Sequence, residues 1–534
     1  VDIAALNAPA VKAVTGALSG SLLASAAVTV AQANIGTKGK ALKTSVTIGD
    51  NNVLAAETIS VKAETNAKQD VDMQALSISA SPFPGGAAQI NSGGSSIYSD
   101  VTVDAGSNVY RGKALGGNNY GAADLLLEAG NSVSQKVRAS GISAGTAFAT
   151  GTNLAATQAV LTTKVTAAGS KAGSHINDLT VNAKSYAAID SEANGYGGAL
   201  IDISPYAAKV ENEYRADTDV ELSGDWTTDG VVTAGAINGS DIDLHADAVR
   251  AAVVGGSGVW LKNDVSNAAN VAVKDAKITS NGAQVYTAQN NVDHTGKIDA
   301  SGYGGVNVNA SDLNDAFAFT AGVTVDKSEL TALGNSGSIT AQALTQGTIN
   351  STNSLKSAGL VPVSLAASKH KLVYDNSVDI TGSTLKTAKK DQDITLAASD
   401  DTEVRLETIA DTQGGAVGAA SARAENELAR SNKLKVDGNS YLESTNDVNL
   451  YAGANSGGIN SSLGLEVLAD AYNKTVIPVY TAPSVRNTMT QNNQVEIAGD
   501  VGSVRHVNVK AGKGTTTVTE SAREYNIYTG TGGS

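Results

Sequence analysis

The chain has 534 residues and a formal net charge of −14, with 17% of residues charged, 4% aromatic and no cysteine. The missing cysteine excludes disulfides, thiolate catalysis and cysteine metal sites, and the acidic balance argues against nucleic acid, whose recognition needs a basic face. So little aromatic bulk suits a narrow core of Val, Ile, Leu and Ala, in an exported protein large enough to dispense with the disulfides on which small secreted domains depend.

The most apolar window is AVTGALSGSLLASAAVTVAQA, 13–33, which follows Lys12 and ends in Ala31-Gln32-Ala33, the form of a secretory cleavage site. No Met precedes it, two glycines and many hydroxyls dilute it, and a comparable stretch recurs at 139–159, so a signal peptide is the lesser reading of this window. No other window approaches the ~20 apolar residues of a membrane span. One pattern, apolar-x-apolar-x-Ala, then marks the whole chain as a repeat. It appears at Ile59–Ala63, Leu125–Ala129, Leu179–Ala183, Ile242–Ala246, Val306–Ala310, Ile394–Ala398, Val448–Ala452 and Val507–Ala511, with a variant, ITAQA, at Ile339–Ala343. Successive starts recur with a period of roughly 60 residues, and ITAQA divides the one longer gap.

A second strand often precedes the anchor, as in SVTIG at 45, DVTVD at 100, DVELS at 219 and KLKVD at 433, each ending near a turn former. Gly- and Ala-rich stretches follow, as at 195–204, 414–429 and 456–471. Alternation puts Val404 and Leu406 inside and Glu403, Arg405 and Glu407 outside. One helical candidate, 422–431, is short. Each period therefore divides into about three strand-bearing lengths of roughly 20 residues, and each such length is expected to be one coil of an all-β parallel solenoid. About 25 coils at ~4.8 Å would make a shaft on the order of 100 Å long. Two proline-bearing segments, 81–96 and 473–487, are expected to leave it as lateral loops, because proline cannot donate to a ladder.

Little of the sequence carries chemistry. Gly141-Ile142-Ser143-Ala144-Gly145 matches a nucleophile elbow, but no helix pattern follows it. The five histidines show no paired metal spacing. Asp241, Asp243, His245 and Asp247 share one strand face and could bind a cation or polarise a sugar hydroxyl, though the row reads first as solvated surface. Phe83, Tyr120, Tyr196, Tyr303, Trp226 and Trp260 are candidates for surface contact, since an aromatic ring offers large area and Tyr and Trp add a polar handle. No cofactor is expected.

The stretch IDASGYGGVNVNA resembles the I-x-A-x-G-x-x-G-G-x-I-x-I unit of filamentous haemagglutinin-like exoproteins through Ile298, Ala300, Gly302, Gly304, Gly305, Val306 and Val308, with one residue fewer between glycines. The longer module of strand, anchor and Gly/Ala-rich coil is similar to the repeats of leukotoxin LktA-type filamentous adhesins, over nearly the whole chain. The resemblance implies a right-handed parallel β-helix on a bacterial surface, one continuous segment over 1–534 within a longer polypeptide or filament. The expected function is a non-catalytic adhesive or matrix shaft, as in a biofilm, that stacks end to end with other copies and meets host or bacterial glycans or proteins. The alternative is a β-helical polysaccharide lyase or hydrolase. It calls for a cleft with three or more acids and an arginine.

Overall fold

The computed structural model describes residues 1–80, 85–116, 119–335, 337–455, 460–512 and 514–526. Among these there is no helix, and the main sheet is parallel and of solenoid type. Leu179 pairs with Val232, Val232 with Gln284 and Gln284 with Ile339, and Ile59 pairs with Leu125 across a somewhat longer step. One turn therefore takes the whole sequence period. The expected coil of about 20 residues is corrected: that length is one wall of a coil, and alternation reveals a strand without revealing its partner. The column Ile59, Leu125, Leu179, Val232, Gln284, Ile339, Ile394, Val448, Val507 marks nine successive levels, with Asp2–Asn7 paired above the first. At about 4.8 Å per level the shaft is about 45 Å long.

Each coil is a flattened loop, clearest in the extended segment Ile176–Thr228. The chain runs out along one wall to Gly195, rounds a tip, and returns along a second wall from Ala207. Side chains alternate between interior and solvent along both. Hydroxyl and amide groups meet across the interior, as where Ser185 and Thr218 lie 2.6 Å apart, so the space between the walls is about one side chain deep from each. Such a gap accepts Val, Leu, Ile and Ala and has no room for a broad core. Two apolar bodies fill it, one around Leu179, Val181, Val220 and Leu222 and one around Ile189, Val210 and Tyr214.

A polar seam separates these bodies. On the outgoing wall it is the column Asn131, Ser185, Asn238, Asn290, Thr345, Asp400, and on the return wall it runs through Asn376, Asn432 and Asn493. Asn238 donates to Ala268 O at 2.8 Å and to Asn290 Oδ1 at 3.0 Å, and accepts from Thr218. Asn376 repeats this downstream, donating to Ser399 O at 2.9 Å and Asn432 Oδ1 at 3.0 Å. A buried amide bonded along and across the stack fixes which level meets which, a constraint that apolar contacts alone do not supply.

Six of the eight anchors lie in the expected column. Ile242 and Leu244 are buried but farther along the same wall, beyond the polar seam, where Ile242 pairs with Ile189 and His294. Val306 and Val308, expected in the core, are 42% and 45% exposed. The cause is the preceding corner: Gly304 has φ of 153° and sits where a Cβ would overlap Ala252 O, so only glycine fits. There the inward phase passes from Ile298 and Ala300 to Asn307 and Asn309, and the valines turn out. Val507 and Val509 are exposed because, among the described residues, His506–Ala511 pairs on one side only.

The lateral loops are corrected as well. Residues 81–84 lie outside the described residues, but Gly86–Ala105 is a strand of the coil. Ile477–Ile497 is likewise a strand, paired among the described residues with Val417–Val436 alone, so Pro478 and Pro483 sit where one edge has no described partner to receive a donor. The helical candidate 422–431 belongs to Val417–Val436 and is strand.

Leu396→Asp, at a fully buried anchor, should cost about 4 kcal/mol or more in urea unfolding, whereas Val306→Asp should cost less than about 1 kcal/mol. Equal costs would contradict the inverted phase at the corner. Asn238→Ala, which strands Thr218 and Asn290, should cost about 1–3 kcal/mol.

Candidate functional site

The outgoing wall bends at one level of its outer face. At Gly347, φ is 136° and a Cβ would overlap Val292 O, so the bend at that level requires glycine. There a groove of about 950 Å³ runs parallel to the shaft, lined from residues 184–186 through 462–464 over six levels. At about 4.8 Å per level its ends are about 24 Å apart.

Register dictates the lining. One column runs Tyr186, Gly239, Asn291, Gln346, Asp401, Ser462, and the neighbouring one runs Asp241, Asp293, Thr348, Glu403, Gly464. Because Gly239 has no side chain, the Tyr186 ring lies over it; an added Cβ would come within 2.8 Å of the ring. Burial, then the charges of Asp241 and Asp293, push the Tyr186 phenol up, so it stays a neutral donor at physiological pH. Thr348 donates to Asp293 at 3.0 Å, and Ser462 to Asp401. Lys184, also on the lining, is bound to Glu128 at 2.9 Å. The groove thus offers one aromatic face, a floor of amides and hydroxyls, and four carboxylates; its lining contains no arginine. That chemistry suits a neutral polyhydroxyl or cationic chain laid along the shaft.

The sequence candidates are dispersed. Asp241 belongs to the groove, while Asp243, His245 and Asp247 continue the outward face beyond it. Among the described residues no three His, Cys, Asp or Glu side chains converge to hold a metal ion. Trp226 is corrected: it is 1% exposed and stacks on Tyr110 in the interior, with ring centroids 6.4 Å apart. Trp260 is half-buried against Tyr206 and donates to Pro205 O at 2.9 Å. Tyr120 lies under the Arg111 guanidinium, 3.5 Å from the ring centroid. Tyr196 and Tyr303 are exposed, and Tyr196 donates to Asp247 at 3.2 Å. Phe83 lies outside the described residues. The groove residues Tyr186, Asp293 and Glu403 went unselected because only the register between coils aligns them.

Among the described residues, three clusters of acidic and basic side chains are sealed inside the coils. Arg250 pairs with Asp202 at 3.4 Å and donates to Ser143 at 2.8 Å. Arg430 pairs with Asp400 at the seam. Asp315 Oδ2 lies 3.1 Å from His370 Nε2 and 3.5 Å from His294 Nε2, and accepts from Ser351. Burial raises the Asp202 and Asp400 carboxyls against the pull of their arginines. At Asp315 burial also pushes up, but the charge and hydrogen bonds of His294, joined by His370, outweigh it and hold the carboxyl well below the usual range. None of the three opens to the groove.

No protein-family model, curated protein or solved structure matches the chain. The fold and groove by themselves define its class: an all-β, solenoid-type protein with a linear groove along the shaft.

A depressed folded-state pKa gives Asp315 a stability contribution complete above its ordinary value of 3.8 and lost as pH falls below it. Urea midpoints measured from pH 5 to pH 2 should therefore fall more steeply for the wild type than for Asp315→Asn. Parallel slopes would rule out an ionised Asp315.

Proposed function

We propose that the chain is a non-catalytic shaft of an extracellular or surface filament of bacterial type, right-handed in its winding, which holds a glycan along its axial groove. The observation that carries this reading is the groove itself: one aromatic ring and a row of polar side chains repeated at the strand spacing over six levels. A linear ligand with many hydroxyls meets such a row with many weak, equivalent bonds, and avidity then sums over the levels. Right-handed winding accords with the strong preference of parallel crossover connections for that hand. The repeat pattern's similarity to filamentous adhesins supports the surface assignment, and the acidic, cysteine-free composition agrees with it. Extension of the ladder, by further coils or by other copies end to end, belongs to the same reading.

The second reading, a polysaccharide-degrading enzyme, draws on the four groove carboxylates, of which Asp293 and Glu403 lie two levels apart, about 10 Å along the shaft. The absence of arginine from the lining weighs against it.

Binding of neutral and acidic polysaccharides measured by calorimetry separates the two. A shaft binds a neutral glycan without changing it, and Tyr186→Ala weakens binding at least tenfold, since stacking area is lost. An enzyme instead releases new reducing or unsaturated ends, and Glu403→Gln abolishes that release. No binding to any glycan tested, with Tyr186→Ala indistinguishable from wild type, would remove the groove from both readings.

A further inference from the structure

The tips of the coils carry their polarity inside out. On the level of Ile201, Asp202 and Ser204 point inward and are buried while Leu200 and Ile203 are exposed; on the level of Val306, Asn307 and Asn309 point inward while both valines are exposed. The inward groups satisfy one another: Ser204 donates to Asp202 at 2.8 Å, Ser257 to Asn309 at 2.6 Å, and Asn309 to Ser357 at 2.7 Å. Apolar burial within the chain would favour the opposite phase, so the outward valines and isoleucines do not serve the fold.

Register aligns these side chains into one ridge. Phe148 pairs with Ile201, Ile201 with Val254, Val254 with Val306 and Val306 with Val361, and Phe148, Val254 and Leu360 are 56%, 49% and 66% exposed. Over residues 20–30, 85–95, 141–151, 195–207, 249–258, 301–309, 358–368, 413–422 and 475–485 the only charged residues are Asp202 and Arg250, both turned inward. An uncharged apolar strip running the length of an acidic molecule marks an interaction surface.

We propose that this ridge is the contact through which two copies of the chain associate side by side, shaft along shaft. Charge selects the partner's orientation: each copy carries a net charge of −14, and the ridge is the strip along which two copies meet without bringing carboxylates together. Periodicity selects the partner's shape, because apolar side chains repeating every ~4.8 Å interdigitate best with a second row of the same repeat. Area suffices: about 40 Å of length and about 20 Å of width, the span of a short strand, give roughly 800 Å² per copy, the share each partner contributes to a stable standard-sized interface. The inference rests on the fold and is independent of any ligand in the groove.

Sedimentation velocity of the full chain at micromolar concentration should give a dimer, tightened as salt screens the acidic faces. Val254→Lys combined with Val306→Lys should weaken the dimer at least a hundredfold while leaving the circular dichroism unchanged, both positions being on the surface, and the melting temperature should lose its dependence on protein concentration. Because the chain has no cysteine, a single Val254→Cys should form a disulfide-linked dimer on mild oxidation, and Glu329→Cys, at the base of the coil, should not. A monomer at every concentration and salt, or equal cross-linking from both cysteines, would overturn the proposal. So would a monomer that pellets with phosphatidylcholine vesicles and loses this on the double lysine substitution; the strip would then face lipid.

Discussion

Everything in this molecule depends on two strand walls whose inward side chains meet midway, one from each wall, and which close on themselves once per repeat, every ~55 residues. At that separation each inward position touches its counterpart on the facing wall and its neighbours above and below. A residue is judged by its column as much as by its place in the sequence. Val, Leu, Ile and Ala fill the gap, and the few large rings, among them Trp226, Tyr214, Phe317 and Phe319, fit where neighbouring levels are small or where rings stack, as the two phenylalanines do at 5.9 Å.

A flat coil with purely apolar walls would be free to slip, since one aliphatic level resembles the next. Three buried polar columns remove that freedom: the seam through Asn238 and Asn376, the ladder through Asn212, Asn263, Asp315 and His370, and the cluster beneath the tip around Arg250. Each is bonded between levels, so a shift by one residue would unpair many buried groups together. Polar interiors of this kind cost desolvation and return a single register.

What could be read in the sequence was the local alternation and the anchor period. Ile59, Leu125, Leu179, Ile394 and Val448 sit in one column as their shared motif implied. The size of the coil was not legible, because a two-residue period reports which face a side chain takes and is silent on the partner strand. The VNVNA copy failed for a sharper reason: its motif is intact, but the corner at Gly304 inverts its phase. The groove was hidden by distance. Tyr186, Asp241 and Glu403 become neighbours only once the step from one level to the next is known.

The same step governs how such a chain reaches its folded state. Nearly every ladder bond joins residues a full repeat apart, so no bond of the first level forms until a loop of that length has closed, and the closure entropy is spent before any ladder bond returns it. Once one level exists, its edge is a template, and the next level adds without repeating the search. Growth is then sequential and directional, level upon level from a single rare start. A chain built this way gains its rigidity at the pace at which it is delivered.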